Sequence, residues 1–168
     1  IMSHLISDNV HVVENDQGAI NAAYQVADFA LEGRNERDQK RLLPFAEMDL
    51  FSAKGLGGIR IPQKFGGAFI SNKTLAHVFR ILNKADSSVG QIPQTQIALL
   101  NMINIMGTEQ QKTFIFNEIL QGKRLANGGP ERHTKDTKTL NTTLTIENNR
   151  YLVDGLSLIP LSRPPPPP

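Results

Sequence analysis

Residues 55–67 read Gly-Leu-Gly-Gly-Ile-Arg-Ile-Pro-Gln-Lys-Phe-Gly-Gly, and they interrupt a chain whose other long segments carry helical periodicity. From Gly57 to Gly67 there are four glycines and one proline. An internal glycine costs a helix about 1 kcal/mol and an internal proline about 3 kcal/mol, so no regular helix crosses this stretch. The glycines neither follow a strand nor open a helix in the dinucleotide-binding manner. The stretch therefore reads as a packing loop, ordered or flexible, between two groups of helices.

Outward toward the N-terminus, Ala19, Ala22, Ala23, Val26, Phe29 and Ala30 recur at steps of three and four, which predicts a helix over 17–32 stopped by Gly33. Arg34 to Arg41 has no apolar member, so a solvated connection or exposed helical turn is expected. Pro44 suits the first turn of a second helix ending near Lys54, because that position needs no N–H donor. Outward toward the C-terminus, Ser71 can cap a third helix over 72–85, with Leu75, Val78, Phe79 and Leu82 inward and Asp86 and Ser87 breaking it. His77, beside that stripe, reads as a packed or hydrogen-bonded imidazole. Ser88 to Met106 is long and apolar, with Pro93 as a start or kink, and Leu99, Leu100, Met102, Ile103, Ile105 and Met106 predict a central, buried helix. Thr108 and Gln111 form a capping box for a fifth helix, in which Phe114, Ile115, Ile119 and Leu120 are expected to pack and which Gly122 ends.

After Lys123 the pattern changes. Arg124 to Glu131 reads as a short strand, and Thr139–Glu147 with Arg150–Asp154 predicts a hairpin about Asn148-Asn149, a pair that tolerates positive φ. A lone hairpin is marginal in water, so the β part reads as cut short. The expected fold class is mainly α: a five-helix domain over 1–122, the opening strands of a truncated β domain over 123–156, and a proline-rich tail over 157–168 that is disordered or artefactual.

Composition bounds the function. A chain of 168 residues with 39% hydrophobic and 20% charged residues is long enough for one domain with a real core and too short for two large ones. Eighteen basic against sixteen acidic residues leave a charge of +2, too little for a surface built to hold phosphate backbones, so no nucleic-acid partner is expected. The lack of cysteine excludes disulfides, thiolate zinc sites and cysteine nucleophiles, and four scattered histidines predict no metal site. No apolar run approaches the roughly 20 residues that span a bilayer, so a cytoplasmic protein without a membrane partner is expected. No nucleophile triad, phosphate loop or metalloprotease motif is present. Two polar clusters remain. Gln91, Gln94 and Gln96 line the polar corner of a pocket or stand exposed where a helix begins. Lys123, Arg124, Arg132, His133, Lys135 and Lys138 meet a phosphate or form a solvated basic turn.

The order of these features resembles the N-terminal helical domain of the acyl-CoA dehydrogenase superfamily. Gly58 to Gly67 matches its Gly-Ile-x-x-Pro-x-x-x-Gly-Gly signature, preceded by Leu-Leu-Pro-Phe at 42–45. The resemblance runs through Lys84-Ala85-Asp86-Ser87-Ser88, Gly107 to Lys112 and Tyr151 to Gly155, and covers roughly residues 18–155. Gly90 to Gln94, together with Glu131-Arg132 and Thr134-Lys135, is most similar to the sulfur-acquisition and dibenzothiophene-monooxygenase-like branch. The resemblance implies a flavin-dependent oxidoreductase that uses FMN or FAD, with a monooxygenase acting on a small organosulfur compound as one form of it. It further implies a flavin edge held by Asn127, Gly128, Gly129, Glu131 and Thr134, and a small-molecule substrate near Gln91, Gln94 and Gln96. No catalytic residue is carried over, because the family's carboxylate base belongs to a C-terminal bundle beyond these residues. At the family's hydroxyl position stands Pro130, which offers neither a hydroxyl nor an N–H, so the chain alone is expected to bind flavin weakly and to be inactive. The alternative is a non-catalytic helical module that self-associates or binds a partner protein. A homo-oligomer joined through 97–120 is expected on either reading, since that stretch is apolar on more than one side.

Overall fold

A computed structural model of the chain describes residues 10–127, 131, 134–136 and 138–155. The expectations for Gly128, Gly129, Pro130, Arg132, His133 and the proline-rich tail lie outside these residues. The chain forms two compact units, one up to Leu125 and one from Ala126.

The first unit is helical. Helix α1 (Asp16–Lys40) starts at Asn15, whose side chain accepts from the Gly18 N–H, and buries Ala19, Ala22, Ala23, Val26, Ala27 and Ala30. This stripe of small side chains lies against α3 (Asn72–Ala85), which contributes Val78, Ile81, Leu82 and Ala85. The predicted stop at Gly33 is not there: α1 continues through the charged run and ends at Arg41 in the left-handed region, φ 53°. Arg37 explains the continuation. Its guanidinium lies across Gly33, where a Cβ would stand 2.6 Å from Nη1, and bonds back to the Ala30 carbonyl. A polar run that carries one buried anchor is held as helix despite its glycine.

Helix α2 (Phe45–Ala53) begins after Pro44 as the sequence predicts. The glycine-rich stretch is ordered as two 3₁₀ turns, Leu56–Gly58 and Gln63–Phe65. Leu56, Ile59, Ile61 and Ile70 are almost wholly buried, worth about 2 kcal/mol each, which outweighs the flexibility of the neighbouring glycines. The loop turns back on itself through Phe69 N–H to Ile61 O and Ile70 N–H to Ile59 O. At Gly67 a Cβ would fall 2.2 Å from the Ile61 carbonyl oxygen, so only glycine fits that approach.

Ser71 caps α3 by accepting from the Thr74 N–H. Asp86 ends α3 and caps a short helix α4 (Ser87–Gln91), and Pro93 separates α4 from α5 (Gln94–Met106). The expected central, buried helix is therefore corrected twice: it is two helices, and of α5 only Gln96, Ile97 and Leu100 are buried, with Ile105 80% and Met106 77% exposed. Helix α6 (Glu109–Leu120) carries the expected capping box of Thr108 and Gln111. Gly122, at φ 89°, closes it with Lys123 N–H to Glu118 O and Gly122 N–H to Ile119 O. Phe114, expected inside, is 68% exposed, and Phe116 is buried edge-on to Phe65 at 5.1 Å between centroids. Residues 114 and 116 sit about 200° apart on a helix, so one had to face solvent once Phe116 met the glycine-rich loop.

In the second unit β1 (Thr143–Glu147) pairs antiparallel with β2 (Arg150–Asp154), and Asn148 and Asn149 at φ 50° and 61° make the predicted two-residue turn. Leu144 faces Val153 and Ile146 faces Tyr151, so one face of the hairpin is apolar, and all ten strand residues are exposed. The strand expected over Arg124 to Glu131 does not form at its start: residues 124–127 have no regular structure, and the Leu125 N–H is held by a side chain.

Candidate functional site

The three glutamines stand where the chain breaks between α4 and α5. Gln91 and Gln94 are exposed, whereas Gln96 is 2% exposed. Its Nε2 donates to the Gly57 carbonyl at 2.9 Å, and its Oε1 accepts from the Leu125 N–H at 3.2 Å. Gly57 allows this approach, since a Cβ there would stand 2.7 Å from Nε2. Both ends of the Gln96 amide are thus engaged with backbone, joining the glycine-rich loop and the residues after α6 to α5. The structure separates the trio into two amides in solvent and one in the core.

Of the residues expected at a flavin edge, Asn127 is exposed, and Thr134 donates its hydroxyl to the Glu131 carbonyl at 3.2 Å. The buried Glu131 carboxylate accepts from the Asn141 N–H, the Thr142 N–H and the Thr142 hydroxyl. The Thr142 hydroxyl and Asn141 amide hold its carboxyl below the usual value, against the opposing effect of burial, with the Thr142 amide adding to them. Gly155 closes over this contact, where a Cβ would lie 2.0 Å from Thr142 Oγ1. The side chains of Glu131 and Thr134 are turned to their own segment, and Gly128 and Gly129 lie outside the described residues, so the described residues alone do not compose a flavin cradle. The basic stretch is likewise partly engaged, with Lys123 on Glu118 and Arg124 on Asp49. The Nε2 of His77 is buried among packed side chains and has no hydrogen-bond partner among the described residues.

A cluster that the sequence did not single out lies near the C-terminal end of α1. Arg37 pairs with Glu47 and with Asp86, the latter at 2.7 Å from Nη2 and 3.2 Å from Nε. The three side chains are 12%, 8% and 9% exposed. Burial alone would raise the Asp86 carboxyl, but the Arg37 guanidinium and the Ser88 and Val89 amides outweigh it and hold the group below its ordinary value. Arginine keeps its charge at every relevant pH, so this is a fixed ionic tie among α1, α2 and the α3–α4 junction rather than an acid–base pair. The signal for it was faint: one arginine in a run of charges, four residues after a glycine. In front of it opens a cleft of about 620 Å³ whose lining includes Arg34, Arg41, Lys84 and Asp38.

Among the described residues no three His, Cys, Asp or Glu side chains gather as a metal site, and no helix is long and apolar enough to cross a membrane. Residues 20–123 match the family model described as acyl-CoA dehydrogenase, N-terminal domain. The chain is 27% identical over 123 residues to a dibenzothiophene monooxygenase of Rhodococcus erythropolis, covering 71% of this chain and 29% of that protein. It is 28% identical over 115 residues to an acyl-CoA dehydrogenase of Bacillus subtilis, covering 67% of this chain and 30% of that protein. The chain thus spans less than a third of the length of these relatives. A solved structure described as an electron transferring flavoprotein of Acidaminococcus fermentans superposes with a TM-score of 0.71 at 21% identity, covering 92% of this chain and 40% of the other. That likeness is one of fold.

Proposed function

The chain belongs to the acyl-CoA dehydrogenase family through its N-terminal domain, and from that premise we propose that it is the N-terminal part of a flavin-dependent oxidoreductase, specifically a monooxygenase of small organosulfur compounds. The observation that carries the reading is the 27% identity to a dibenzothiophene monooxygenase across 71% of the chain. FMN or FAD is the proposed cofactor of the longer protein. The 168 residues by themselves are proposed to be inactive, because the described residues supply no complete cradle. Flavin chemistry needs the ring held by donors and shielded from water, and an exposed hairpin does neither.

The test has two arms. Titrated with FMN or FAD and followed by flavin fluorescence, the 168-residue chain is expected to bind more weakly than micromolar. Extended to the length of its relatives, the protein is expected to carry a flavin absorption band and to consume oxygen with reduced flavin and an aromatic sulfide. An extended protein that oxidises acyl-CoA and ignores the sulfide would overturn the substrate assignment, and one without flavin would overturn the whole reading.

A second reading rests on Met102, Ile105, Met106 and Phe114, exposed by 48%, 80%, 77% and 68%. Each large apolar side chain left in water forgoes about 1.5–3 kcal/mol of burial, which favours self-association through α5 and α6 as a two-fold dimer. Light scattering at low micromolar concentration is expected to show the dimer, and Ile105→Ser with Phe114→Ser is expected to dissolve it. A monomer in both proteins would refute this reading.

A further inference from the structure

The cleft in front of the Arg37 ion pairs has no part in the oxidoreductase reading, and the inference drawn from it stands apart from that reading. Four cations line it, and one of them, Arg37, is paired with two carboxylates, Glu47 and Asp86. Three remain, Arg34, Arg41 and Lys84, against Asp38 and the one negative charge left over on the Arg37 triad, which leaves an excess of one positive charge.

Cations near helix C-termini commonly serve the last carbonyls and the negative end of the dipole, and both α1 and α3 end at this cleft. Here three of those carbonyls have backbone partners and a fourth is served by Arg34. Arg37 O accepts from the Leu42 N–H, Asp38 O from the Arg41 N–H, and Leu82 O from the Asp86 N–H. Arg34 donates to Ala85 O. Among the described residues no hydrogen bond or ion pair engages the Arg41 guanidinium, the Lys84 ammonium or the hydroxyls of Ser87 and Ser88. The backbone fixes where Arg41 begins: its left-handed conformation, φ 53°, is uncommon for a residue other than glycine and is held by the two bonds that close α1. The Arg37 tie fixes the opposite wall by holding the α3–α4 junction against α1.

We propose that this cleft, between the end of α1 and the α3–α4 junction, binds a small oligoanion bearing phosphate groups. A guanidinium presents paired donors that match phosphate oxygens, and an ammonium adds a compact charge. A concave site of about 620 Å³ admits two phosphate groups with their remaining hydration, and it is far too small for a nucleic-acid strand to be the favoured occupant.

Calorimetric titration of the full chain at constant ionic strength, with inorganic pyrophosphate, inorganic phosphate and sodium chloride in separate arms, tests the proposal. Pyrophosphate is expected to bind saturably and more tightly than phosphate, and chloride not at all. Arg41→Ala with Lys84→Ala is expected to weaken pyrophosphate binding by about tenfold or more, a change of about 1.4 kcal/mol or more. Lys40→Ala is the control, because Lys40 pairs with Glu36 and does not line the cleft. Circular dichroism of each variant confirms the fold, and a melting temperature that rises with pyrophosphate in the parent but not in the double variant gives a second readout. No saturable binding below about 10 mM, a level at which a pair of charged contacts would be evident, would overturn the proposal. So would a double variant that binds as the parent does, or a Lys40→Ala protein that loses as much as the double variant.

Discussion

Replacing Arg37 by alanine should leave Glu47 and Asp86 facing each other's charge at 8% and 9% side-chain exposure with no cation between them. Breaking a buried ion pair from one side costs about 3–5 kcal/mol, because the remaining charge stays desolvated. The low end applies, since Asp86 keeps the amides of Ser88 and Val89 as donors. The Ala30 carbonyl also loses its bond to Nη2. A loss of about 3 kcal/mol is expected, which for a unit this size lowers the melting temperature by about 10 °C. The pH dependence gives a sharper test. In the parent the Asp86 carboxyl titrates below its ordinary value of 3.8, so its contribution to stability is complete above that value and is lost as pH falls through the lower folded one. In Arg37→Ala the Asp86 carboxyl loses the guanidinium that lowers it and takes up a proton more readily, which relieves the unpaired charge. The gap between the proteins should be widest near neutral pH and should narrow as pH falls toward 4. Urea unfolding followed by circular dichroism at several pH values measures it, with m-values held equal. A loss under about 1 kcal/mol, typical of an exposed pair, or a gap that does not change with pH, would refute the reasoning. Lysine at 37 should recover part of the loss, since a point charge cannot span two carboxylates and the Ala30 carbonyl.

Gln96→Leu removes the partner of the Gly57 carbonyl and the Leu125 N–H, so about 2–3 kcal/mol should be lost and the Leu125 amide should exchange with solvent markedly faster; unchanged exchange at Leu125 would contradict the assigned bond. Gly67→Ala should destabilise the first unit by more than the ~1 kcal/mol of an ordinary glycine change, because its Cβ would meet the Ile61 carbonyl at 2.2 Å, and a calorimetric melting temperature equal to the parent's would count against that packing. Thr142→Val takes the hydroxyl from Glu131, so its carboxyl should titrate higher by carbon-detected NMR and the hairpin should lose the share of stability present above the ordinary carboxylate range; an unmoved titration would exclude the contact.

What could be read from the sequence was whatever chemistry acts within a few residues of itself. Ser71 accepts from Thr74, Thr108 and Gln111 exchange bonds, and Asn148-Asn149 turns a hairpin, each through groups that covalent spacing already brings together. The glycine and proline pattern of 58–67 was legible for the same reason, since a backbone that must turn or approach closely needs those residues wherever it sits. Tertiary structure decided the rest. Gly33 would end an isolated helix, yet α1 passes through it because Arg37 reaches Asp86, 49 residues away in sequence. Phe114 and Phe116 are equally apolar, and the loop that α6 happened to meet buried one and left the other in water. Gln91, Gln94 and Gln96 look alike as residues, but only Gln96 found two backbone groups in need of a partner. Side-chain type states what a residue can bond to, whereas the choice among equivalent candidates depends on which distant segment is folded against them.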